Sequence, residues 1–257
     1  MTTTSSPDLA LETRSLTKDF RGFTAVDGVD LQVRRGSVHA LVGPNGAGKT
    51  TMFNLLTGFL KPSSGTVLFN GTDITGMEPE KITPLGMARS FQITSLFEEM
   101  TLLEHLELAL AAGSGLTMKF WRSQRVLQRF RDEAMEALDR VGLASLSHAS
   151  AGSLAYGQKR ALELTLAVAL DPQLLLLDEP TAGMGLEDVD RTIALIKGLS
   201  AGRTVVFVDH NMHVVGSLAD EVTVMQTGQV LVHGTYEEVR ADSRVVEAYL
   251  GSSHVTH

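Results

Sequence analysis

Cysteine is absent from the 257 residues. Disulfides and thiolate metal sites are therefore excluded, and the chain fits a reducing cytoplasm. Long apolar runs are missing as well. The most apolar stretches, LTLAVAL at 164–170 and QLLLLD at 173–178, fall far short of the roughly 20 residues that span a bilayer. The start, MTTTSSPDLA, has neither a charged leader nor an apolar core of signal-peptide length, which leads us to expect a soluble, cytosolic protein. Basic residues are outnumbered by acidic ones, 22 to 30, for a formal charge of −8. Such a chain as a whole repels nucleic acid and anionic membrane, although a local basic patch can override the average. No internal repeat is visible, and no low-complexity block beyond the first seven or so Thr/Ser-rich residues, which are expected to fray.

What is present suffices for one substantial domain, or one core carrying a subdomain. Near the start, VDLQV and SVHALVG read as strands joined by a tight turn at RRG. TTMFNLLTGFL from Thr50 turns helical until Lys61-Pro62 and Ser64-Gly65, and TVLFNGTDI resembles a hairpin around Asn70-Gly71. Leu, Ala, Glu and Arg at helical spacing over 101–111 and 121–140 predict a helical insertion. Then the chain alternates: helix 157–170, strand 173–178, helix 187–199, strand 204–208, helix 211–218, strand 221–226. That alternation predicts a parallel sheet covered by helices.

The chemistry starts at LVGPNGAGKTT, which fits GxxxxGK(S/T) with Gly43, Gly48, Lys49 and Thr50, after an apolar strand and before a helical pattern. Glycines let backbone N–H groups curl around a phosphate and the helix N-terminus adds partial positive charge. Lys49 can reach the terminal phosphates, and the Thr50 hydroxyl can ligate Mg²⁺. The competing reading is a glycine-rich turn that merely opens a helix. Strand, turn and helix in order favour the phosphate loop. Further on, PQLLLLDEP delivers Asp178 and Glu179 at the carboxyl edge of a buried parallel strand, the ligand side of open α/β sheets. Asp178 there holds Mg²⁺ through water and Glu179 accepts a proton from the attacking water. Taken alone, Asp-Glu-Pro after a strand is only a turn. TVVFVDH puts His210 at the same edge, where an imidazole can contact a γ-phosphate; a hydrogen-bonded structural histidine is the alternative. His210 and His213 have a spacing that suits a metal, but no carboxylate or third histidine is grouped with them in the sequence.

One stretch is not explained by capping alone. SLAYGQ at 153–158 places a tyrosine, a glycine and a glutamine at the mouth of an apolar helix, although Ser153 by itself could cap it. The motifs GPNGAGKTT, SFQ at 90–92, LAYGQ, LLLLDEP and the histidine of VDH stand in the order found in nucleotide-binding subunits of ABC transporters, and the chain resembles that family over nearly its whole length.

The resemblance implies an α/β P-loop NTPase core with a small N-terminal antiparallel β-subdomain and an inserted α-helical subdomain. It divides the chain into 1–92, 93–170 and 171–257. It implies ATP with Mg²⁺ as ligands, Asn45, Gly46, Gly48, Lys49, Thr50 and Thr51 around the phosphates, and Thr50, Gln92 and Asp178 around the metal. Gln92 also reaches the attacking water, beside Glu179 and His210. Phe20 resembles the aromatic that stacks on adenine, with a core phenylalanine as the alternative. Two such domains pair head to tail in the family, so Gly157, with Ser153 or Gln158, closes on a partner's γ-phosphate, a helix N-terminus aimed at an anion across an interface. The implied partners are that second cassette, identical or homologous, transmembrane permease subunits, and indirectly a solute-binding protein; nucleic acid is not among them. The implied location is peripheral, on the cytoplasmic face of the membrane.

ITSLFEEMT after Gln92 resembles the surface that docks on a membrane subunit; the alternative is an ordinary loop with Leu96 and Phe97 tucked inward. Two departures stand out. Ala155 lacks the serine hydroxyl of the commoner signature LSGGQ, and PTAGMG lacks the leucine and aspartate that many relatives carry after the glutamate. LAYGQ, AGMG, GMARSFQ and VVEAYLG are similar to the ATPases of importers for branched-chain amino acids and, close by, for urea and short amides; a related branch serves lipopolysaccharide export.

KFWRSQRVLQRFR at 119–131 holds five basic residues and no acid. It reads as a solvated helix face, or as a contact with lipid headgroups or a membrane partner. Two rivals remain. An ATPase acting on nucleic acid or the ribosome calls for two cassettes or a long coiled coil and a basic surface, which this chain lacks. A P-loop kinase or GTPase would lack the signature turn.

Overall fold

The computed structural model describes residues 8–90, 96–113, 124–169 and 171–251, without the side chains of 124–127 and 250–251. Strands β1 (Leu9–Phe20) and β2 (Phe23–Arg34) pair antiparallel. Their connection, Arg21-Gly22, has φ of 50° and 95°, the left-handed pair that matches hairpin twist. Along β2, Val29, Leu31 and Val33 are buried while Asp30, Gln32 and Arg34 are exposed, so one face seats on the core. Strand β3 (Val38–Val42) follows across the tight turn at RRG, as the sequence predicts, and enters a different sheet, so that turn passes between layers.

Helix α1 (Lys49–Leu56) leads to β4 (Ser64–Phe69) and β5 (Thr72–Asp73). These two pair around Asn70-Gly71, with φ of 49° and 76°, as the sequence predicts. They complete a four-stranded antiparallel sheet of order β2-β1-β4-β5. A short α2 (Pro79–Ile82) precedes β6 (Met87–Ser90), a strand the sequence reading did not include. The helical segment comprises α3 (Leu102–Gly113), α4 (Gln124–Arg140) and the front of α5 (Tyr156–Ala169).

The remainder alternates: β7 (Leu174–Asp178), α6 (Leu186–Ser200), β8 (Thr204–Val208), α7 (Met212–Leu218), β9 (Glu221–Gln226). Then come β10 (Gln229–Gly234), α8 (Tyr236–Ala241) and α9 (Ser243–Gly251). The second sheet runs β10-β9-β3-β8-β7-β6 and is parallel except for β10 at its edge. Both faces of it are covered, which is why Leu174–Leu177 need no polar alternation. Leu174 and Leu176 pack with Met52, Phe53 and Leu56 of α1 and with the antiparallel sheet. Leu175 and Leu177 pack with Ile193 and Ile196 of α6 and Val214 and Val215 of α7. A separate cluster joins Leu102, Leu106, Ala134, Leu138 and Leu162 of the helical segment.

Candidate active site

Pairing registers set Leu41, Val208 and Asp178 abreast on β3, β8 and β7. The segments that leave these strand ends carry Gly43, His210 and Glu179, so three stretches read separately in the sequence meet at one carboxyl edge.

The loop after β3 is shaped by glycines with distinct duties. A Cβ on Gly43 (φ 150°) would lie 2.2 Å from the Met225 carbonyl oxygen, and one on Gly48 (φ 98°) 2.4 Å from that of Ala25. Both therefore allow close backbone packing. Gly46 (φ 79°) is exposed and a Cβ there would meet nothing within 4 Å, so its backbone faces open space. Helix α1 starts at Gly48 with no side-chain cap and no acidic residue in its first turn. Its first N–H groups and its partial positive charge are left for an anion. Lys49 Nζ donates to the carbonyls of Gly43 (2.7 Å) and Pro44 (2.9 Å). Burial pushes its pKa below the usual lysine value, and Glu179 works against that shift. Asn45 and Thr50 are exposed and Thr51 is half-buried at the mouth of the loop.

Asp178 is buried and its Oδ2 accepts from Arg89 NH2 at 2.8 Å. Arg89 also donates to Asn54 Oδ1 (2.7 Å) and Thr57 Oγ1 (3.1 Å) and lies over the rings of Phe53 and Phe59. Thr50, exposed, and Asp178 carry hard oxygens of the kind Mg²⁺ takes while keeping several waters, so their donor chemistry fits that ion. Glu179 is half-buried, its N–H bonded to Val208 O at 2.9 Å, with φ of 43°. A non-glycine residue in the left-handed region is held there by its surroundings. His210 is exposed, next to a fully buried Asp209 that accepts from Thr181 Oγ1 (2.7 Å) and Asn211 N (2.9 Å). His213 bonds Asp190 Oδ1 at 3.0 Å, so a carboxylate does stand beside it, contrary to the sequence reading.

The signature turn is tied down from within. Ser153 Oγ donates to Ser150 O (2.7 Å) and does not cap α5; Gln158 Oε1 does so instead, accepting from Ala155 N at 3.0 Å. Gly157 abuts the Asp188 carboxylate, which a Cβ would approach to 3.3 Å. Tyr156 Oη donates to Ala182 O (2.8 Å).

Gln92 lies outside the described residues, as do 93–95 and 114–123. Phe20 is 45% exposed at the β1–β2 tip, under Lys18 Nζ at 5.2 Å, which overturns the core alternative. It pairs across the hairpin with Phe23, 66% exposed, which the sequence reading passed over. Phe97 is also exposed and Leu96 half-buried, so the alternative in which both tuck inward does not hold for Phe97. Arg129 pairs with Glu133 at 2.7 Å and stays exposed, the pattern of a solvated helix face.

Between β6, α1 and α5 lies a cavity of about 300 Å³ lined by Phe59, Ile82, Met87, Arg89, Ser90 and Glu163, among others. Three buried polar atoms of residues that line it, Arg89 Nε, Ser90 Oγ and Glu163 Oε1, have no hydrogen-bond partner among the described residues. Arg89, and Arg160 of α5, which donates through Nε to Pro180 O at 3.1 Å, are the contributors that the sequence reading missed; the only available signal was a lone arginine in a short strand and another one turn into an apolar helix.

Comparison with known proteins agrees with this geometry. Residues 26–182 match the family described as ABC transporter, and 229–255 that described as branched-chain amino acid ATP-binding cassette transporter. The branched-chain amino acid transport ATP-binding protein BraF of Pseudomonas aeruginosa is 40% identical over 95% of this chain and 98% of its own length. LivG of Escherichia coli, of the same description, is 36% identical over 95% and 98%. Among solved structures, an ATP-binding cassette of an ABC transporter in its ADP conformation superposes with a TM-score of 0.82 at 31% identity, over 95% of this chain and 99% of that one. No helix among the described residues is long and apolar enough to cross a membrane. The phosphate loop and the Asp-Glu pair on one sheet edge, the turn at the start of α5 tied to Ala182, and these relatives lead to one conclusion: the chain belongs to the ATP-binding subunits of ABC transporters, ATPases coupled to transport.

Proposed function

We propose that this subunit binds Mg-ATP at the β3–α1 loop and powers import of branched-chain or other small amino acids. It does so as a peripheral protein on the cytoplasmic side of a permease, paired with a second cassette and served indirectly by a solute-binding protein. The observation that carries the reading is the row of strand ends holding Gly43, His210 and Glu179, in a chain whose relatives are named for branched-chain amino acid transport.

On ATP binding, Lys49 leaves the Gly43 and Pro44 carbonyls for the terminal phosphates, and the N–H groups around Gly46 to Thr51 replace phosphate hydration. Asn45 lines the same loop and Phe20 stacks on the base. Thr50 and Asp178, with Gln92, hold Mg²⁺, which supplies charge neutralisation when bound. Glu179 takes a proton from the attacking water and His210 contacts the γ-phosphate. Ser153, Gly157 and Gln158 of one subunit close the phosphate end of the other. The cavity beside β6, mostly apolar but with Arg89, Ser90 and Glu163 among its lining residues, suits a permease segment carrying both an acceptor and a donor.

The test is Glu179→Gln, with size measured by light scattering. The variant should bind ATP, turn it over at least a hundredfold more slowly than wild type, and run as a dimer in ATP alone. A monomer in ATP, or wild-type turnover, refutes the split site. Membrane proteins that co-purify with the chain should include a permease that imports amino acids; one that moves another solute refutes the substrate class.

A further inference from the structure

Two side chains on one face of α5, four residues apart, grip the segment that follows β7. Arg160, itself buried, donates through Nε to Pro180 O (3.1 Å) and through NH2 to Asp178 O (3.4 Å). Tyr156 donates to Ala182 O at 2.8 Å. Alternate carbonyls at 178, 180 and 182 thus all accept from α5. Glu179 sits inside this bracket, in the left-handed region, and its carbonyl accepts from Ala182 N at 3.1 Å. A shift of Ala182 is therefore passed directly to the residue that holds its strained backbone.

We propose that the Tyr156 hydroxyl is a positioning group: it fastens the signature turn to the Glu179 segment, so that closure of the turn on a partner's nucleotide is felt at this subunit's own Glu179. Since the two ends of the bracket serve different nucleotides, the link makes hydrolysis at the two sites cooperative. PTAGMG carries no charged side chain, so the contacts that hold it to α5 fall on its backbone carbonyls. Tyrosine suits the position for a plain reason. Its ring is 55% exposed, so it needs no room in the core, and its rigid length carries a donor from the helix start to the loop. The inference rests on the split-site reading above.

The experiment uses Tyr156→Phe in the full chain, alone and combined with Glu179→Gln. Removing one exposed hydroxyl should leave the melting temperature within a few degrees of wild type, and the affinity of the single chain for nucleotide within about twofold. The expected changes are a Hill coefficient for ATP hydrolysis that falls from above one towards one, and a kcat lowered roughly two- to tenfold, the range one neutral hydrogen bond can supply. The ATP concentration needed to dimerise the double variant should rise by a similar factor. A purely structural tyrosine would lower the melting temperature and leave the Hill coefficient in place. If the phenylalanine variant keeps the Hill coefficient and kcat of wild type, or wild type itself shows no cooperativity, the inference falls while the split site stands. If Glu179→Gln alone never dimerises in ATP, the split site falls first.

Discussion

Arg89 NH2 and Asp178 Oδ2 form an ion pair of 2.8 Å, with side chains 12% and 4% exposed. Two strand neighbours, one from β6 and one from β7, are thus joined across the floor of the site, and the arginine also lines the adjoining cavity. Burying two charges gains little net stability when both are satisfied, but removing one leaves the other unpaired at full desolvation cost. Arg89→Ala should therefore lower unfolding free energy by about 3–5 kcal/mol, read from urea denaturation. Arg89→Lys keeps the charge and loses the fork to Asn54 and Thr57, so it should cost less. Equal losses for both variants would mean that the fork, and not the charge, matters.

The glycines of the phosphate loop divide into packing and ligand-facing positions, and substitution separates them. Gly43→Ala drives a methyl into the Met225 carbonyl at 2.2 Å and should lower the melting temperature by several degrees while also abolishing nucleotide binding. Gly46→Ala meets nothing within 4 Å, so it bears only the left-handed backbone cost of about 1–2 kcal/mol. It should stay folded yet bind ATP analogues at least tenfold more weakly. Circular dichroism melts paired with a fluorescent nucleotide titration report both.

Lys49 holds two carbonyls before nucleotide arrives, and its partial burial already disfavours the ammonium. Lys49→Met keeps the stem and deletes the charge. It should fold with little loss, because it removes a burial cost along with two hydrogen bonds, but bind ATP at least tenfold more weakly. Calorimetric titration measures the affinity, and a variant with wild-type affinity would remove Lys49 from the site.

How much of this was legible in advance follows from whether a residue's duty is local. The phosphate loop, β7 and the Asn70-Gly71 hairpin are written in short contiguous patterns, and they stand where the sequence placed them. β1, β6 and β10 were missed because none has an apolar run long enough to stand out: LALETRSLTKDF is held by β2 and β4, MARS by Leu174–Leu177, and QVLVHG by β9. The tight turn at RRG stands between two strands as read, but that those strands belong to different sheets is decided only by distant partners. Arg89 and Tyr156 could not be read as they are, since each works through a residue from 26 to 89 positions away. The substitution of alanine in the signature, Ala155, is not explained by any side-chain contact; its backbone N–H caps against Gln158.

A last consequence concerns pH and lies away from the site. His39 on β3 is fully buried; its Nε2 bonds Thr223 Oγ1 at 2.9 Å, which in turn bonds His233 Nδ1 at 3.0 Å. Its Nδ1 faces Glu221 at 3.9 Å without a hydrogen bond, and Arg34 already occupies that carboxylate. Burial first, then the nearby His233 and Arg34, lower its pKa to about 3. The unfolded chain, with an ordinary value near 6.5, therefore binds one more proton than the fold between about pH 3 and 6.5. Stability from this group is fully present above that window and is lost as pH falls through it. The loss is about 1.5 kcal/mol between pH 6.5 and 5, above the range where carboxylates titrate. His39→Gln, which can still bond Thr223, should flatten the urea midpoint over that interval. If the variant keeps the wild-type slope, some other buried base takes up the proton and His39 is not the group that makes this fold acid-sensitive.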